Sequence, residues 1–155
     1  MFNLFSSMQD TVIDLQDFKL VKNTLFVEGI GIITGQNAKE YSDIDYKLII
    51  EGESGKYVKR LGKANRPDLT KIYAKGLPFS YDKCWFATPN YKGVDIAEIP
   101  IGTYKLALKI TVNGFEKTVV LCSKNNIQLD DSLFYFESNT TGNQLTIKQK
   151  PENNI

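Results

Sequence analysis

Asp43 and Asp45 stand one residue apart and form a D-x-D, the pattern by which many glycosyltransferases hold a metal ion and a nucleotide sugar. Two carboxylates at that spacing can share one divalent cation. Here the pair precedes a strand, without the alternating βα pattern of a nucleotide-binding fold, so it reads as a charged turn before Tyr46. The Asp43/Asp45 and Asp130/Asp131 loops are the places where calcium would find clustered oxygen donors. The chain contains no histidine. Histidine acid–base catalysis, Ser-His-Asp triads and most transition-metal sites are thereby excluded within it. No glycine-rich phosphate loop matches a known pattern. No cofactor and no metal are expected, and the chain reads as a non-catalytic protein; a carboxylate-based enzyme is the least favoured alternative.

Two further groups of residues have binding chemistry. Lys56, Lys59, Arg60, Lys63 and Arg66 concentrate positive charge along one strand and its exit. Lys59 and Arg60 must point to opposite faces of an extended strand, so they do not form one continuous patch. An edge strand kept from aggregating by its lysines accounts for them without a ligand. The second group is the aromatic run "YAKGLPFSYDKCWFATPNY", residues 73–91. Aromatic rings stack on sugar faces, and they are equally the usual filling of a sandwich core. The core reading is preferred, with at least one ring exposed. If a ligand site exists, its residues are Tyr81, Trp85, Tyr91, Lys59, Arg60 and Arg66, the cations acting on phosphate-bearing polymers.

The elements that must position these residues are strands. Tyr104, Leu106, Leu108 and Ile110 alternate with Lys105, Ala107, Lys109 and Thr111, the period of a half-buried strand. Asn113-Gly114 then gives the strongest short hairpin signal, since a type I′ turn needs positive φ at both central residues. Phe115 to Leu121 returns as the partner. Further strands are expected at 11–21, at 24–33 with Gly29 and Gly31 marking a bulge or close backbone approach, and in hairpins over 46–62 and 133–150. Only residues 66–76 suggest helix, a turn or two near 68–75 with Asp68 as cap and Gly76 as terminator. About eight short strands with almost no helix predict an all-β, immunoglobulin-like antiparallel β-sandwich. Residues 1–10 read as an N-terminal segment with freedom to flex, 11–149 as a single domain and 150–155 as a polar tail.

The bulk properties suit one globular domain. The 155 residues can bury roughly two-thirds of their unfolded surface. A net charge of +1, with only Arg60 and Arg66 as arginines among 19 basic residues, argues against nucleic acid. No basic n-region, long apolar segment or transmembrane run occurs, so a cytoplasmic location is expected. Cys84 and Cys122 are too few for a disulfide framework and are expected as buried free thiols. The Asn139-Thr140-Thr141 sequon has no secretory context.

The order Arg66-Pro67-Asp68-Leu69-Thr70, then Ser80-Tyr81-Asp82, an aromatic pair, and Asp95 through Tyr104 resembles a recurring module. It is the β-sandwich module that accompanies bacterial glycosyltransferases making teichoic acids and other cell-surface polysaccharides. The resemblance spans about residues 45–121. The chain departs from it where Cys84-Trp85-Phe86 replaces a Gly-Phe and where residues 89–93 are inserted. The resemblance carries no catalytic residues. It implies an accessory role: binding glycan or anionic cell-surface polymer, or contacting a partner protein such as a glycosyltransferase, with oligomerisation one way to do so. A structural interaction module is the alternative.

Overall fold

The computed structural model describes residues 10–152. Eleven strands form one antiparallel band that bends into two layers. The strands are β1 (Thr11–Val21), β2 (Thr24–Ile33), β3 (Ile44–Gly52), β4 (Gly55–Ala64), β5 (Trp85–Ala87) and β6 (Val94–Asp95). They continue as β7 (Gly102–Val112), β8 (Phe115–Val120), β9 (Ile127–Asp130), β10 (Phe134–Asn139) and β11 (Gly142–Ile147). The band runs β1-β2-β5-β4-β3-β7-β11-β10-β9, with β6 on the flank of β2 and β8 on the flank of β7. Strand β4 makes the corner. Its first part, through Leu61, pairs with β3 in one layer, and Gly62 to Ala64 pair with β5 in the other.

The layers meet through apolar side chains at alternate positions. Tyr104, Leu106, Leu108, Ile110 and Val112 of β7 are buried, as their period requires. Phe18 of β1 stacks flat on Phe136 of β10, ring centroids 3.6 Å apart. The band nearly closes on itself. The Leu15 N–H donates to the Cys122 carbonyl, and the Ser123 N–H donates to the Asn139 carbonyl, so the link after β8 stitches β1 to β10.

Where β7 leaves β11 and takes up β8, backbone groups would be stranded in the core. Buried Asn143 fills that gap: its side-chain carbonyl accepts from the Leu106 N–H, and its amide donates to the Leu106 and Leu121 carbonyls. Buried backbone groups need such partners.

Local expectations fare well. Asn113 and Gly114 both have positive φ, as a type I′ turn demands. The register of β1 on β2 slips between Leu15 and Asp17, opposite Gly29. A Cβ on Gly29 would lie 2.2 Å from the Asp14 carbonyl oxygen, so only glycine admits this approach. The two cysteines are free as expected, but only Cys84 is buried; Cys122 is half-buried.

Others need correction. Three short strands, β5, β6 and β9, were not legible, being two to four residues long. The helix α1 is Pro67–Tyr73, but Arg66 holds the cap position and Asp68 makes no capping bond. Pro67 at the first helical position explains the start without a cap, having no N–H to satisfy. Of the polar tail, Lys150 is anchored through its ammonium to the Ile99 carbonyl. The N-terminal expectation falls almost wholly on residues 1–9, which lie outside the described residues, as do 153–155. Among the described residues, no helix is long and apolar enough to cross a membrane.

Candidate functional site

Of the rings in the aromatic run of residues 73–91, Tyr81, Trp85 and Phe86 are buried, Tyr73 and Phe79 are half-buried, and Tyr91 is exposed. On β5, Phe86 pairs opposite Gly29 and points into the core, 5.8 Å from the ring of Tyr46. Its neighbour Trp85 must point the other way, yet it is only 5% exposed. The reason is a cover on that outer face. The Arg66 guanidinium lies 4.1 Å above the indole, while the indole N–H donates to Glu28 at 3.0 Å. Tyr81 is 2% exposed, its backbone held by Thr70 of α1 and its hydroxyl accepting from the Gly35 N–H. Neither Tyr81 nor Trp85 offers a face on which a sugar can stack.

Tyr91 does. It is 59% exposed and sits in the turn Pro89–Tyr91, where Asn90 and Tyr91 have φ of 54° and 58°. Positive φ is uncommon for a bulky side chain and marks local strain. The turn is held by the Thr88 carbonyl, which accepts from the Tyr91 N–H, and by the Thr88 hydroxyl, which accepts from the Gly93 N–H. Beside it lies an open pocket of about 470 Å³ lined by Gly62, Lys63, Ala87, Thr88, Pro89, Asn90 and Tyr91.

The cations of β4 separate as extended geometry requires. Lys59 turns to Glu98 and forms an ion pair, whose hydrogen bond holds the Glu98 carboxyl below its usual range. Lys63 bridges the Ile44 carbonyl and the Asp45 carboxylate. Arg66 forms two parallel bonds to Asp68, at 3.1 and 3.0 Å. These bonds raise its basicity and lower the Asp68 pKa. Arg60 is exposed on the outer face, directly opposite Lys47 of β3.

Lys47 in turn pairs opposite Lys109 of β7, a residue the sequence placed on a wet face without marking it for binding. The signal existed in the alternation of both strands, but it needs the register between them. A shallow pocket of about 300 Å³ is lined by Asp45, Tyr46, Lys47, Arg60, Lys109, Thr111 and Glu116.

The acid pairs are engaged by the protein itself. Asp43 accepts from the Glu40 N–H and Asp45 is held by Lys63. Asp130 is paired with Lys148, and Asp131 accepts from the N–H groups of Leu133 and Phe134. Among the described residues, no three carboxylates or thiols converge as a metal ion needs. The Cys84 thiol is pushed up to about 12, chiefly by burial, and burial drives Tyr46 well above its ordinary value. Neither is a ready nucleophile.

No family model, no curated protein and no solved structure matches the chain.

Proposed function

We propose that this chain is a non-catalytic binding module that recognises a carbohydrate polymer at the Tyr91 turn. The observation that carries the reading is Tyr91 itself: an exposed aromatic ring on strained backbone, beside an open pocket that offers Lys63 and Asn90 as polar partners. Strain of this kind persists where surrounding structure holds it, and such positions cluster at ligand sites. One ring with few polar partners gives modest affinity, about 4–6 kcal/mol, or roughly millimolar to tens of micromolar. The resemblance over residues 45–121 suggests the setting, an accessory domain working beside an enzyme of polysaccharide assembly.

The test is a titration with neutral and phosphate-bearing oligosaccharides, followed by amide shifts in the 88–93 turn. Binding that Tyr91→Ala removes while the fold is kept supports the proposal. No carbohydrate binding at millimolar concentration overturns it. The structural-module reading has one observation of its own. Val58, Ile49, Ala107 and Val120 align across β4, β3, β7 and β8 as an apolar row on the outer face, with Val58 51% and Val120 55% exposed. Concentration-dependent sedimentation would reveal it.

A further inference from the structure

The outer face of the layer formed by β4, β3 and β7 carries a row of like charges that pairing alone does not explain. Arg60, Lys47 and Lys109 occupy directly opposite positions on β4, β3 and β7. Neighbouring strands lie about 4.8 Å apart, so the three side chains leave the sheet within about 10 Å of one another. Like charges in this arrangement are destabilising. Lys109 is relieved by Glu116 of β8 at 3.0 Å. The other nearby carboxylate, Asp45, is turned to Lys63. Among the described residues, Lys47 and Arg60 have no ion-pair or hydrogen-bond partner.

Protection against edge-to-edge aggregation does not account for the row. Such protection suits Arg60, because β4 before Gly62 has a partner strand on one side only. It does not reach Lys47 or Lys109, whose strands are paired on both sides at those positions. We propose that the Arg60–Lys47–Lys109 row is a phosphate-binding site that accepts a phosphate group carried on an extended ligand. The charges fit that choice. A phosphate carried as a pendant monoester has three terminal oxygens for a guanidinium fork and two ammonium groups, whereas a carboxylate has two. The site is open and shallow, suited to one group of a long chain. Its Asp45 is bridged to Lys63, which lines the Tyr91 pocket, so one chain can cross both. The phosphate site itself does not depend on the Tyr91 reading.

Inorganic phosphate, polyphosphate and acetate, titrated separately at low salt, provide the test. Amide shifts report the place and the strength of binding. Phosphate should move the amides around Lys47, Arg60 and Lys109, and polyphosphate should bind more tightly. The double variant Lys47→Gln/Arg60→Gln should weaken both at least tenfold, while Tyr91→Ala leaves phosphate binding unchanged. The double variant should also melt about 1–4 °C higher, since the repulsion is relieved. Acetate binding as well as phosphate overturns the assignment. So does phosphate binding that survives the double variant. Loss of phosphate binding in Tyr91→Ala would move the site to the turn. Polyphosphate no tighter than phosphate removes the extended ligand.

Discussion

Trp85 and Tyr91 are six positions apart in one aromatic run, and the fold gives them opposite environments. Trp85 lies on a strand whose two faces are both covered, the inner by the core and the outer by Arg66 and the chain around α1. Even the side that alternation would turn to water is therefore dry. Tyr91 lies beyond the strand, in a turn with no layer above it. The difference teaches that an aromatic-rich sequence is not a binding surface until one knows how many layers lie over it. It also separates two energetic roles. Rings inside the band stabilise the fold, whereas Tyr91 costs backbone strain and returns little packing.

The largest effect that could break this comparison is at Phe86. Its fully buried ring touches the Gly31 and Tyr46 region. Phe86→Ala should cost about 3–5 kcal/mol in urea unfolding. Tyr91→Gly should cost nothing and gain up to about 1 kcal/mol, since glycine takes positive φ freely. Equal losses at the two positions would show that Tyr91 is packed after all.

Next in size is Asn143→Leu. It leaves the Leu106 N–H and the Leu121 carbonyl unpaired in the core, while the Leu106 carbonyl keeps the Leu121 N–H, for an expected loss of about 2–4 kcal/mol. Fast exchange of the Leu106 amide should accompany it. A variant as stable as the parent would mean that water or rearranged backbone replaces the amide.

The alkaline limb of stability sharpens the contrast further. Cys84 ordinarily titrates near 9.0 and is held up at about 12 in the fold. The folded state thus keeps the proton that the unfolded chain releases. Stability is fully present below about pH 9 and falls as the pH rises toward 12. Burial of Tyr46 acts in the same direction at higher pH. Cys84→Ala should flatten the onset of this limb, read as urea midpoints across pH 8–11. An unchanged onset in that variant would contradict the assignment.

The smallest effect concerns the acidic pair. Asp43→Ala and Asp45→Ala each remove one local bond and should cost at most about 1 kcal/mol. Calcium titration should give the same weak response in parent and variants. A selective loss of calcium affinity on replacing either residue would restore the metal-site reading.

How much of this was legible depended on range. The β7–β8 hairpin followed from period-2 alternation and one Asn-Gly, both local. The bulge at Gly29 was legible as glycine inside a strand, though not its partner, Asp14, which sits on another strand. Strands β5, β6 and β9 carried no signal because two to four residues cannot display a period. Asp68 is not needed as a cap because Pro67 satisfies the helix start by itself.

The candidate site shows the same division. Composition and order alone removed histidine chemistry, and alternation alone put Lys59 and Arg60 on opposite faces. The identity of the exposed ring required the third dimension, because the cover over Trp85 comes from Arg66 on a separate segment. The Arg60–Lys47–Lys109 row required it too. Each strand shows its own alternation, but which rung faces which is set by register, and register is fixed by side chains packing across the whole band. Local backbone preferences wrote the strands and turns into the sequence. Burial and cross-strand alignment, which sum contacts between distant residues, were decided only when the band folded over itself.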